Sequence, residues 1–291
     1  MFDNITAVAI LRKPLDFSKT GKILKIGQLE FIVQYDKQYQ NIKNYQALVR
    51  NLQFTVTQEE IKISNSLHKF YCGNNYSDYN ADQLAATIKD IEFCTGILAE
   101  EFIIKKIECS LNIVTESDAV DYLPMFLEYR TVFPQKVYVG KKPYGINYNL
   151  TDYRIKIYSK NEELKRTDRI TLTTNILRFE IQIRQNRLLK EIFTLKDLAS
   201  RNVRENVFDF YFKIFGKIKT KGIEDFSRIN QKHLALYYAG KIGEYWNEEK
   251  KHNVNTAKSK RKLYLELLEQ VNQETPLHFL DLLRQKFAEL N

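Results

Sequence analysis

The chain has 291 residues, 44% of them hydrophobic, which is enough to bury a substantial core in one large domain or two modest ones. Its formal net charge of +9 favours a polyanionic partner. The three cysteines, Cys72, Cys94 and Cys109, form no CxxC and are odd in number, which argues against a disulfide framework or a cysteine zinc site and fits a reducing cytoplasm. No uncharged apolar run approaches the ~20 residues that span a bilayer, and the opening MFDNITAVAILRK is a poor signal peptide, so no membrane partner is expected.

Gly (10) and Pro (5) are sparse, so most of the chain should be regular structure. Residues 1–65 hold short alternating segments, among them Leu52–Val56 and Glu60–Ser64, that read as strands. Gly73-Asn74-Asn75 is a turn. A helix is predicted over Ala81–Glu101, with Asn80 as its cap and Gln83 three residues on, a capping-box pattern. From Phe102 to Arg184 the period becomes two, predicting strands over 103–114, 136–140, 154–160 and 177–184. Beyond about residue 187 the period is helical, over Phe193–Leu198, Val207–Ile214, His233–Trp246, Ser259–Val271 and Pro276–Leu290. The expected architecture is α+β: a sheet-containing region over 1–200 and a helical region over 201–291, with the boundary falling near 190–205.

Side chains alternate across a sheet, so each strand has two faces. In the first long strand Ile103, Ile107, Cys109, Leu111 and Ile113 share one face, and Lys106, Glu108, Ser110 and Asn112 the other. Ile155 and Ile157 lie opposite Arg154, Lys156, Tyr158 and Lys160, while Leu177, Phe179, Ile181 and Ile183 lie opposite Arg178, Glu180, Gln182 and Arg184. If these strands are neighbours, their polar faces merge into one patch with a single tyrosine among acids and bases. Such a patch is also what an ordinary solvated sheet face looks like.

The residue types suit phosphodiester transfer. A tyrosine hydroxyl can attack phosphorus and form a covalent phosphotyrosine. Lys156 and Lys160 would favour the phenolate and screen phosphate. Glu108 and Glu180 could hold Mg²⁺ or Mn²⁺, hard ions suited to carboxylates. Arg178 and Arg184 could clamp phosphates with their planar forks, with Arg154 on the same face. Tyr158 is the candidate nucleophile and Tyr138 the runner-up, while Tyr144 and Tyr148 sit in an expected turn from which they could stack on bases.

Several ordered motifs carry a family likeness: HKFYCGNNYSDYNADQL (68–84), KKIECSLNI (105–113), KVYVGKKPYGINYNLTDYRIKIYSKNEEL (136–164), NILRFEIQIRQNRLLKE (175–191) and, more faintly, NVNTAKSKRKLYLELLE (253–269). In these the chain resembles the gene II replication initiators of filamentous phages and their relatives on plasmids and prophages. The resemblance covers about residues 60 to 270. It implies a Rep-like antiparallel nickase core and site-specific nicking of one origin strand. A 3′-hydroxyl then primes rolling-circle synthesis, and the displaced circle is later closed. It selects Tyr158 as nucleophile, adds Glu163 as a further acid of the metal set, and sets Asn75, in the family's turn, among the DNA-binding residues. The implied partners are the origin duplex, the nicked single strand, a host helicase and a DNA polymerase, with a dimer on DNA left open. The chain departs from many tyrosine nickases in one respect. None of His68, His233, His252 and His278 forms a His-hydrophobic-His strand, so any metal must fall on carboxylates.

The run AKSKRKLY (257–264) predicts a basic helix start behind Thr256 as cap, with Lys258, Lys260, Arg261 and Lys262 available to phosphates as part of a winged-helix or helix-turn-helix-like duplex-binding region. Two rival readings stand beside the nickase: an origin-binding initiator or repressor that does not cut, and an RNA-binding or structural protein whose polar sheet face is merely wet.

Overall fold

A computed structural model of the chain describes residues 1–38, 41–184, 188, 194–221, 230–271 and 279–291. The chain runs β1 (Phe2–Ile10), β2 (Ile23–Ile26), β3 (Leu29–Tyr35), β4 (Ile42–Val49), β5 (Leu52–Val56), β6 (Glu60–Ser66), α1 (Leu67–Cys72) and α2 (Ala81–Thr95). Then come β7 (Ile103–Thr115), β8 (Phe126–Tyr129), β9 (Gln135–Val139), β10 (Lys142–Asn149), β11 (Tyr153–Ser159), α3 (Lys160–Thr167) and β12 (Asn175–Ile183). The last third holds α4 (Arg201–Phe215), β13 (Ile218–Thr220), α5 (Gln231–Ala239), α6 (Gly243–His252), α7 (Val254–Val271) and α8 (Phe279–Leu290). The fold is α+β, as the periodicity predicts.

One 11-stranded sheet dominates, in the order β2-β3-β4-β5-β6-β1-β7-β12-β11-β10-β9. Every pairing in it is antiparallel. The order has an internal logic. β1 opens a meander whose last strand, β6, returns to pair with it, and β7 opens a second meander whose last strand, β12, does the same. The two halves join along a β1–β7 seam. A separate two-stranded ribbon pairs β8 with β13.

Strand alternation decides which side the helices cover. Phe2, Leu111, Phe179, Ile181 and Ile155 point to one side and are buried. Phe208 and Phe215 of α4 and Phe279 of α8 pack there, with Phe2–Phe208 and Phe179–Phe215 ring centroids 5.9 and 5.3 Å apart. The Tyr211 hydroxyl donates to the Phe179 carbonyl at 3.0 Å, satisfying a buried phenol. Thus α4 and α8 share the core of the sheet, whereas α5, α6 and α7 gather a second small core around Tyr237, Trp246, Tyr264 and Leu267. The apolar clusters therefore do not divide at residue 200. The C-terminal helix returns to the first core after the satellite is complete.

Local sequence explains most boundaries. Asn80 and Gln83 form the expected reciprocal capping box of α2. The helix stops at Thr95, short of Glu101, because Gly96 takes a left-handed φ of 66°. The helix expected over His233–Trp246 is broken between α5 and α6. Tyr264 packs so closely on Gly240 that a β-carbon there would lie 2.3 Å from its ring, and the Trp246 indole donates to the Gly240 carbonyl at 2.8 Å. Helix α7 begins earlier than expected, capped by Asn253, whose side chain accepts from the Asn255 and Thr256 amides at 2.9 and 3.0 Å. Thr256 lies inside the helix. The helix expected over Phe193–Leu198 falls partly outside the described residues, and its described part is a 3-10 turn, Lys196–Ala199. Residues 276–278 of the last expected helix also lie outside them.

Two irregularities on the β1–β7 seam matter for the site. Thr6 pairs with Lys106 and Ala7 with Ile104, so Lys105 is an extra residue in β7. The strand's faces switch there: Ile104 is buried and Ile103 is 37% exposed, correcting the expectation that Ile103 shares the core face of Ile107. Further along, Phe2 pairs with Cys109 and Ile5 with Ile107, so Asp3 and Asn4 together oppose Glu108.

Candidate active site

The polar patch predicted from alternation forms on neighbouring strands. Tyr158 of β11 stands opposite Arg178 of β12, Lys156 opposite Glu180, Glu180 opposite Ser110 of β7, and Gln182 opposite Glu108. The patch is not a wet surface. Tyr158, Glu108, Ser110, Arg178 and Glu180 are all buried, and the segment after α1 closes over part of it through Asn75 and Tyr76.

The bulge at Asp3–Asn4 enlarges the patch. The Asn4 amide donates to Glu108 Oε2 at 2.6 Å, while Asp3 accepts from Arg178, from the Ser66 hydroxyl, and from the Asn75 amide at 3.2 Å. Asp3, Asn4 and Ser66 escape a sequence reading because adjacent residues of a strand normally face opposite ways. Only the extra residue puts Asp3 and Asn4 on one face.

Arg178 is the hub. Its guanidinium, 1% exposed, donates to Glu180 Oε2 (3.3 Å), the Asn75 carbonyl (2.8 Å), Asn112 Oδ1 (3.1 Å), Ser110 Oγ (2.7 Å) and Asp3 Oδ2. Those acceptors match the five N–H bonds a guanidinium has. Arg178 therefore holds the fold of the site together and does not reach outward to a phosphate as expected. Asn75 is likewise a buried brace on Asp3 and Arg178, and its Oδ1 has no partner among the described residues. Arg154 is half-buried, donates to Asn149 Oδ1 at 2.6 Å and lines the groove beside Tyr158. Arg184 sits just past the end of β12, its backbone N–H on the Asp152 carbonyl, away from the central cluster.

The Tyr158 hydroxyl donates to Glu180 Oε2 at 3.0 Å. Burial, reinforced by the Glu180 charge, pushes the phenol well above its ordinary value, against the smaller opposing effect of Arg178. This corrects the expectation that Lys156 and Lys160 set the phenol toward phenolate: desolvation outweighs the neighbouring cations. For Glu180, burial raises the carboxyl but Lys156 and Arg178 outweigh it, so the group lies below the usual carboxylate range. Glu108 moves the other way, raised by burial and by the Glu180 charge. Lys160 is 1% exposed, paired with Glu163, and depressed by burial and by Arg178. Its ammonium lies 5.9 Å from the Tyr158 ring centroid.

A groove of about 270 Å³ opens over Tyr158, lined by Val137, Tyr144, Asn147, Arg154, Lys156 and Glu163. The second tyrosine in it is Tyr144, not Tyr138. Pro143 pairs with Tyr138 and Gly145 with Val137, so Tyr144 is an extra residue, and its ring meets that of Tyr158 edge-on at 6.3 Å. Val137, Gly145 and Tyr158 form one row, so Tyr138 points to the opposite side of the sheet, where it lines an apolar groove with Phe126 and Phe133. Tyr148, placed in a turn by the sequence, lies fully buried in β10.

The metal expected on Glu108, Glu180 and Glu163 meets a different arrangement. Among the described residues no group of three His, Cys, Asp or Glu side chains is gathered as a metal cage. Lys156 Nζ lies 2.5 Å from Glu180 Oε1 and 3.6 Å from Glu108 Oε1. The remaining carboxylate oxygens accept from Asn4, Tyr158 and Arg178, with Gln182 also on Glu108 Oε1 at 2.6 Å. Glu163 pairs with Lys160 instead. As arranged, this donor set does not fit a divalent ion, which needs several free oxygen ligands.

In the C-terminal region, Arg261 pairs with the buried Glu128 of β8 and lies 4.6 Å from the Trp246 ring centroid, and Lys260 bridges both Glu249 oxygens at 2.8 and 2.7 Å. These two residues brace helices, while Lys258 and Lys262 are exposed. His68, near the expected turn, is buried, stacked on Tyr79 at 4.9 Å and held at a pKa of about 3, chiefly by burial. No helix among the described residues is long and apolar enough to cross a membrane.

Comparison with protein-family models and with curated protein sequences finds no match for this chain.

Proposed function

We propose that the chain is a replication initiator with a Rep-like core that nicks one origin strand through Tyr158, primes rolling-circle synthesis and rejoins the displaced strand. The observation that carries this reading is the hydrogen bond to Glu180 from Tyr158, which lines a groove together with Arg154 and Lys156. In the reaction, Tyr158 Oη forms a bond to phosphorus and passes its proton to Glu180 Oε2. The bond from phosphorus to the 3′ oxygen breaks, and that oxygen takes a proton from solvent to become the 3′-hydroxyl. Arg154 and Lys156 face the charge that develops on the phosphoryl oxygens. The phosphotyrosine is itself a phosphodiester, so attack by a 3′-hydroxyl can reverse the step and rejoin the strand. The resemblance to gene II initiators selects the same tyrosine.

A second reading, an origin-binding protein that does not cut, is favoured by the buried and hydrogen-bonded state of the Tyr158 phenol. One experiment separates the two. The purified chain is incubated with supercoiled DNA carrying its coding sequence and flanks, and covalent protein–DNA adduct is measured on denaturing gels. An adduct that Tyr158→Phe abolishes supports the nickase. Origin binding without adduct supports the second reading, and an undiminished adduct from Tyr158→Phe removes Tyr158 as nucleophile.

A further inference from the structure

The two buried carboxylates beneath the groove residue Lys156 already have a cation, and it belongs to the chain. We propose that the Lys156 ammonium is the resident cation of the Glu108–Glu180 pair, filling the position a divalent ion would need, so that the intact site takes up no Mg²⁺ or Mn²⁺ and a divalent-ion site appears only when Lys156 is removed.

Three observations support this. First, the register sets Lys156 directly across from Glu180, and the ammonium reaches both carboxylates, at 2.5 and 3.6 Å. Second, the groups bordering the pair are hydrogen-bond donors: the Asn4 and Gln182 amides, the Tyr158 hydroxyl and the Arg178 guanidinium. These N–H and O–H groups occupy the carboxylate lone pairs that a metal ion would need, and in this arrangement they present hydrogens to the pair rather than ligand oxygens. Third, the pair is buried, so its two negative charges need a close compensating charge, and an ammonium placed between them supplies it without a cage of further ligands. The Lys156 side chain also borders the groove next to Tyr158. The inference rests on the nickase reading only for its catalytic consequence: the same ammonium would face a phosphate brought to Tyr158.

The test is Mn²⁺ binding to the full chain, followed by electron paramagnetic resonance, in which bound Mn²⁺ loses the six-line signal of the free ion. Wild type and Lys156→Arg should leave added Mn²⁺ free. Lys156→Met should bind one Mn²⁺ at least about tenfold more tightly than wild type, a difference of roughly 1.4 kcal/mol. Adding Glu108→Gln to Lys156→Met should abolish that binding. Wild-type protein that binds one Mn²⁺ and loses it on Glu108→Gln would overturn the proposal, as would a folded Lys156→Met that binds none. Should Lys156→Met fail to fold, the comparison of wild type with Glu108→Gln still decides. Adduct formation in chelator is measured in parallel. Adduct absent with and without Mn²⁺ counts against the nickase reading alone, because the Mn²⁺ titration judges Lys156 independently.

Discussion

Gly145 stands directly opposite Tyr158 in the β10–β11 ladder, and a β-carbon at position 145 would come within 2.6 Å of the Tyr158 β-carbon. No side chain fits there without pushing Tyr158 out of line with Glu180. Gly145→Ala should therefore destabilise the fold by about 1–3 kcal/mol and lower adduct yield further than the loss of folded protein explains. Gly21→Ala, where a β-carbon meets nothing within 4 Å, is the near-neutral control. Urea melts beside adduct assays on both variants provide the check.

Arg178→Met leaves Asp3 and Glu180 buried without their guanidinium. A loss of about 3–5 kcal/mol is expected, the usual result of removing one partner of a buried ion pair. Arg178→Lys should recover little of it, because an ammonium cannot serve acceptors spread around a planar fork. Chemical denaturation of the two variants tests this, and near-wild-type stability of Arg178→Lys would contradict the hub role.

His68 has a folded pKa of about 3 against an ordinary 6.5, set first by burial and next by the N-terminal ammonium, with Arg178 and Lys160 adding to it and Asp3 opposing. Because the folded value is depressed, the fold prefers the neutral ring. Stability from this group is full above pH 6.5 and drains away as pH falls toward 3, by on the order of a few kcal/mol over the window. His68→Gln should flatten the stability–pH slope between about pH 6.5 and 4.5, above the range where carboxylates dominate acid unfolding. Equal slopes in wild type and variant would refute this.

The basic helix divides by function. Arg261→Ala should cost stability, because it leaves Glu128 buried and unpaired. Lys258→Ala and Lys262→Ala should leave the melt unchanged. If α7 meets duplex phosphates, each should reduce the slope of log affinity against log salt by roughly one. Salt titrations of duplex binding measure this, and an unchanged slope in the double variant would remove α7 from the interface.

Tyr138→Phe should leave adduct yield unaltered, since Tyr138 points to the far side of the sheet. Tyr144→Ala, which removes the ring packed edge-on against Tyr158, should lower it. The opposite ranking would mean that Tyr144 does not pack against Tyr158 in solution.

The strands with uninterrupted alternation, β5, β6, β11 and β12, were legible from the sequence to within a residue or two, and so was the capping box that starts α2. So was the gathering of Tyr158, Lys156, Glu180 and Glu108 on one face. What stayed hidden depends on extra residues and on distant partners. Bulges at Asp3–Asn4, Lys105 and Tyr144 each break the period of two, and each moves a side chain that a strict alternation misplaces. The polar face looked wet because nothing local reveals that Asn75 and Tyr76 fold back over it. The basic helix looked like a set of free cations because Glu128, the partner of Arg261, lies 133 residues earlier.

The seam between β1 and β7 also brings together parts of the site that lie far apart in sequence. Each meander can close on its own first strand, but Asp3 and Arg178, 175 residues apart, meet only when the two halves zip together. Folds dominated by pairings so remote in sequence fold slowly. A chain with both meanders but no seam would keep most of its strand pairings and lack the Asp3–Arg178 contact that braces the Tyr158 cluster, so secondary structure alone is a poor gauge of whether that cluster has assembled.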